Sequence, residues 1–270
     1  MKTTLFALAA ATSVAMLTLS CSGKSSNQQQ DVMSRQNVEE NVREFVYPLP
    51  TAFEVTEMLN RIDAPYILTL CNEQSNYEKY LTEPKKALNM GIYSADLCYA
   101  STYNQQQSVK EYIDIIRKLI DGLDITSAVD PDLPNKIESN ENNKEGLTQI
   151  ISESFYDVYD YLNRNDRGPV SLLIVTGSWV EGLYITTHIS DNTFENKEMV
   201  KIIMSQKDPL VKLMELLGKY QGNESIDNAK ALLTPLFEAY QAMEEGSITE
   251  AQIQQIKTDV YGIRTEMVKF

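Results

Sequence analysis

From residue 52 onward the apolar residues of this chain recur at alternating three- and four-residue spacing, and that period restricts the fold to packed helices. Side chains three and four apart share one face of a helix. A half-buried strand needs alternation and turn signals instead, and neither is found here. Three stretches show the period clearly. Val109, Tyr112, Ile113, Ile116, Leu119, Ile120 and Leu123 mark one face of residues 105–123. Leu147, Ile151, Phe155, Val158 and Leu162 mark a second helix, and Ile253, Ile256, Val260, Ile263 and Met267 a third. The β-like run Leu172-Leu173-Ile174-Val175 continues into a longer apolar segment and reads as helix.

Capping and breaking residues divide the remainder. Thr51 precedes a short helix over residues 52–61, and Pro65 opens another. Thr82-Glu83-Pro84 is a cap followed by a helix-starting proline. Asp130-Pro131-Asp132-Leu133-Pro134 is a loop, and residues 165–169 break the chain again. Ser225 is placed to cap a helix kinked at Pro235, and Ser247 with Glu250 has capping-box spacing. The expected fold is all-α: a single domain of eight or nine helices over residues 45–270.

Two segments, residues 87–103 and 170–189, are apolar on nearly every side, as helices at the centre of a fold are. They resemble each other. Gly91 and Tyr93 match Gly177 and Trp179, and Leu97 matches Leu183, all 86 positions apart. This reads either as two related halves packed about central helices or as a chance likeness between two helices rich in small and aromatic residues. The small residues imply close approach, because glycine within a helix costs about 1 kcal/mol against alanine and needs a packing reason.

The N-terminus carries a different message. Lys2 precedes an uncharged, mostly apolar stretch over residues 5–19, which is shorter than the ~20 residues of a bilayer span. Ser20, Cys21, Ser22 and Gly23 follow. A cysteine so placed resembles the lipobox of bacterial lipoproteins, with Leu19-Ser20-Cys21 at the end of the box and Thr18 where leucine is usual. The resemblance covers the first 25 residues or so and implies cleavage after Ser20 and lipid on Cys21. With each buried methylene contributing ~0.8 kcal/mol, several acyl chains would anchor the mature chain stably. Residues 21–44 then form a polar tether. Ser22 resembles the signal for transfer to the outer membrane. The lack of an acidic cluster after Cys21 is unlike the surface-export signal of some lipoproteins of the Bacteroides group. The expected address is therefore the periplasmic face.

Charge narrows the partners. The formal net charge is −14, and loss of Lys2 with the signal makes it more negative. Nucleic acid and flat docking on anionic lipid both call for Lys/Arg patches, so neither is expected. Cys71 and Cys98 remain in a compartment where disulfides form, and either a disulfide or two buried thiols fits the sequence.

Few residues suggest chemistry. There is one histidine, and the sequence lacks HExxH, CxxC, a phosphate loop and a GxSxG elbow, so no metal, cofactor or catalytic residues are assigned. One constellation stands out. Asp96 and Glu181 are the carboxylates of the two apolar helices, His188 lies two turns beyond Glu181, and Tyr93, Tyr99, Trp179 and Tyr184 are neighbours in sequence. Such a set fits either a pocket for a polar or cationic ligand or a core carboxylate with partners in the chain. The leading expectation is a non-enzymatic envelope lipoprotein acting as a protein-interaction or binding module. A small-ligand receptor using these seven residues is the alternative, and an enzyme with Glu181 and His188 as acid and base comes third.

Overall fold

The computed structural model describes residues 52–140, 143–243 and 248–270. Among the described residues there are ten α-helices and no strand. They are α1 Ala52–Arg61, α2 Glu83–Thr102, α3 Gln106–Gly122, α4 Leu133–Ser139, α5 Lys144–Arg164, α6 Gly168–His188, α7 Lys197–Met204, α8 Lys207–Gly218, α9 Glu224–Gln241 and α10 Glu250–Val268. The all-α fold expected from the spacing is present. The proposed signal segment, Cys21, the tether and Thr51 lie outside the described residues.

The two apolar segments are α2 and α6, and both are buried along nearly their whole length. By length and composition α6 could cross a bilayer, but 94% of its most apolar window is buried inside the fold. The helices run parallel. Glu83 and Arg167 pair at their starts, and the close approach falls at Gly91 and Gly177. A Cβ on Gly91 would strike the carbonyl oxygen of Ile174 and stand 2.7 Å from the amide nitrogen of Ser178. A Cβ on Gly177 would strike the carbonyl oxygen of Leu88. The contact is reciprocal at the 86-residue offset seen in the sequence. The helices preceding each, α1 and α5, likewise pack on both central helices.

Other elements attach to this pair. Thr82 caps α2 by accepting from the Lys85 amide, as its sequence suggested. All five seam residues of α10 are buried, and that helix packs on α6 and α2. The chain has free, buried thiols at Cys71 and Cys98, so of the two cysteine readings the structure has the thiols.

Three expectations are corrected. Pro65 does not open an α-helix: residues 62–82 are irregular apart from 3-10 turns at Leu68–Leu70 and Gln74–Lys79. Their backbone groups find partners elsewhere. Tyr99 Oη donates to the Pro65 carbonyl at 2.9 Å and accepts from the Ile67 amide, while Tyr103 Oη donates to the Ala64 carbonyl at 2.8 Å. Such side-chain bonds satisfy a buried backbone without helix. The cap of α9 is Asn223, not Ser225, and the capping box of α10 is Thr249 with Gln252, two residues beyond the pair expected.

Candidate ligand cavity

The structure divides the seven residues singled out from the sequence. Asp96 and Glu181 are both fully buried, and near enough that the charge of Glu181 acts on Asp96. Their partners come from the chain itself. Arg264 of α10 donates to both Glu181 oxygens, Nε to Oε2 at 2.8 Å and Nη2 to Oε1 at 2.9 Å. The guanidinium also donates to the Leu70 carbonyl at 3.1 Å and lies 4.4 Å from the Tyr184 ring centre. Asp96 Oδ2 accepts from the Asn72 amide at 3.0 Å, and its Oδ1 makes no hydrogen bond among the described residues. Burial, reinforced by Glu181, holds the Asp96 carboxyl well above the usual carboxylate range.

The aromatic members serve the same core. Tyr93 Oη donates to the Glu73 carbonyl at 2.7 Å, so Tyr93, Tyr99 and Asp96 together pin the irregular segment onto α2. Tyr184 stacks on His188 with ring centres 4.3 Å apart, and burial pushes the His188 imidazole down to about 4. Six of the seven expected residues thus find partners within the chain: Glu181, Tyr184 and His188 on the side of α6 that meets α10, and Tyr93, Asp96 and Tyr99 on the side of α2 that holds the irregular segment. The seventh, Trp179, faces elsewhere.

Trp179 lines a half-open cavity of about 720 Å³ on another face of the same two helices. Met90, Ser94 and Leu97 of α2, with Val175 and Trp179 of α6, make its floor. Ile113, Ile116 and Ile120 of α3 form one wall, and Ile151 and Phe155 of α5 the other. The cavity has a plain cause. α3 and α5 both stand on α2 without packing closely on each other. Where α10 covers one side of the central pair with nineteen residues, this side is closed by the seven-residue α4 and the turn before it, through Val129, Leu133 and Ile137.

Charge is confined to the edge. Glu57, Arg117, Asp121 and Asp130 border the cavity and are substantially exposed, whereas Met90, Leu97, Ile120, Ile151 and Val175 are buried. Among the buried polar atoms of the lining, Trp179 Nε1 makes no hydrogen bond among the described residues. Cys98 also borders the space, its thiol pushed up to about 12 by burial.

Sequence reasoning missed the walls because it grouped Ile113 and Ile116 with the rest of one apolar helix face, and spacing does not tell covered positions from open ones. Both are only partly buried, and their counterpart Ile115 is the buried residue. A partial signal was present in Pro131 and Pro134, which keep the covering helix from extending back toward α3; that helix runs only seven residues. No protein family, no curated protein and no solved structure matches this chain.

Proposed function

We propose that this chain is an envelope-anchored binding protein that holds a small apolar molecule in the cavity over α2 and α6 and performs no chemistry on it. The observation that carries the reading is the cavity itself. Its volume of about 720 Å³ falls in the ~300–1,000 Å³ range of small-molecule sites, which are concave, mostly apolar and furnished with few polar groups. Of the two binding readings drawn from the sequence, the concave shape and its volume favour the receptor over the protein-interaction module. The aliphatic lining favours an apolar ligand over the polar or cationic one expected from Asp96 and Glu181. The chain's single histidine does not line the cavity, which leaves its hydroxyls and the Cys98 thiol without an imidazole base.

The address belongs to the same reading. The lipobox-like Leu19-Ser20-Cys21 supports a lipid anchor and an outer-membrane position on the periplasmic face. There the partners would be the membrane, through Cys21, and the ligand.

The chain carries its own probe, because Trp179 is the sole tryptophan. Titration of the full-length chain with dodecanol should shift and saturate Trp179 emission as the alkyl chain packs into the cavity that the indole lines. Emission that drifts linearly, or does not change, would refute the ligand-binding reading.

A further inference from the structure

Resting on that reading, we infer that residues 129–140, with α4 at their centre, are the gate of the cavity: they lift as one piece to admit the ligand and settle back over it. The floor calls for such a passage. Met90, Leu97, Cys98, Val175 and Trp179 border a space of about 720 Å³, yet each is buried. With the cover in place, a molecule large enough to fill the space reaches little of them.

The cover differs from the other walls in how it is held. α3 and α5 run 17 and 21 residues, and each buries apolar side chains in the core. α4 runs seven and buries none. Leu133, Ile137 and Asn140 are half-buried, and the rest of residues 130–140 is exposed. Leu133 and Ile137 face the cavity, so the contact that holds α4 down is the contact a ligand would take over. Elements with few buried apolar contacts are the ones that open locally, and lids are drawn from them.

The segment also has the means to move as a unit. A helix this short has little stability alone, but bonds within the segment hold it together. Lys136 Nζ donates to Asp130 Oδ2 at 2.7 Å, the Asp132 amide to Asp130 Oδ1 at 2.8 Å, and Asn135 Nδ2 to Asp132 Oδ1 at 2.7 Å. None of these breaks when the segment rises. Its two ends are fixed, because Ile125 and Ala128 before it and Leu147 of α5 after it are buried.

The test is the rate at which dodecanol binds the full-length chain, followed by stopped-flow of Trp179 emission, in the parent and in Leu133→Ala combined with Ile137→Ala. Both residues are only half-buried, so the core should survive the change, which circular dichroism and melting check. Without the two side chains the gate should open more often: association and dissociation should both quicken, association at least threefold. Faster dissociation with unchanged association would mean that α4 merely lines the cavity, and would overturn the gate while leaving the binding reading standing. A parent without a saturable emission change would overturn the binding reading, and the gate with it. Hydrogen exchange needs no variant. In the ligand-free parent the α4 amides should exchange at least tenfold faster than those at the centres of α3 and α5, and dodecanol should slow them. Amides of α4 as protected as those of α5 without ligand, or indifferent to dodecanol that binds, would also overturn the gate.

Discussion

Arg264 and Glu181 form a two-pronged ion pair at 2.8 and 2.9 Å, which ties the last helix to the centre of the fold. Glu181 is fully buried, and the Arg264 side chain is 14% exposed. Removing one member strands a charge where water cannot reach it. Arg264→Met should therefore cost about 3–5 kcal/mol, read by chemical denaturation. Glu181→Gln combined with Arg264→Met should cost much less than the two single changes together, since both charges leave at once. Full additivity would show that the two residues act independently.

The glycine crossing gives a second expectation. Gly91→Ala and Gly177→Ala each place a methyl group against a carbonyl of the facing helix, at a contact between two backbones where no side chain can yield. Both variants should melt well below the parent, by the ~1–3 kcal/mol or more that overpacking costs. Gly262 in α10 is the control, because a Cβ there meets nothing within 4 Å. Gly262→Ala should be neutral or stabilise by up to about 1 kcal/mol through helix propensity. Parent-like melting of both central variants would mean that α2 and α6 do not approach as closely as the crossing requires.

His188 sets a pH dependence. Burial lowers its pKa from 6.5 to about 4. The unfolded chain therefore binds a proton at this site before the folded chain does. The stabilisation is complete above pH 6.5 and is lost as pH falls toward 4. His188→Gln should lose less stability than the parent across that window while matching its trend above pH 7. Parallel curves from pH 7 to 4 would show that His188 is not held neutral in the fold.

Anchoring is tested apart from the fold. Cys21→Ala should release the protein from the membrane fraction, because the acyl chains would supply its membrane affinity. A variant that still fractionates with membranes would contradict the lipobox reading.

The sequence was legible where one residue's environment repeats along a helix. Ile253, Ile256, Val260, Ile263 and Met267 had the period of a buried seam, and all five are buried. Gly91 and Gly177 announced a close crossing because only backbone contact explains glycine within such apolar helices. The site was less legible. Asp96 and Glu181 stood out as isolated carboxylates, yet their partners, Asn72 and Arg264, lie 24 and 83 positions away, and no local pattern connects them. The cavity was hidden for a related reason. Ile113 and Ile116 have the same spacing whether another helix covers them or not. What leaves them open is the distance between α3 and α5, set by how each docks on α2.

The central claim is that this cavity, and no other surface, takes the ligand. Ser94 is 9% exposed and faces the space, and its hydroxyl bonds only the Met90 carbonyl of its own helix at 2.7 Å. Ser94→Phe should fill the floor, leaving melting equal to the parent or higher, since filling a cavity commonly stabilises by about 0.5–2 kcal/mol. The direct measurement is calorimetric titration of dodecanol into the parent and into Ser94→Phe. Saturable one-site binding to the parent and loss of that binding in an intact variant is the predicted result. Equal affinity for both would place the ligand elsewhere and contradict the account.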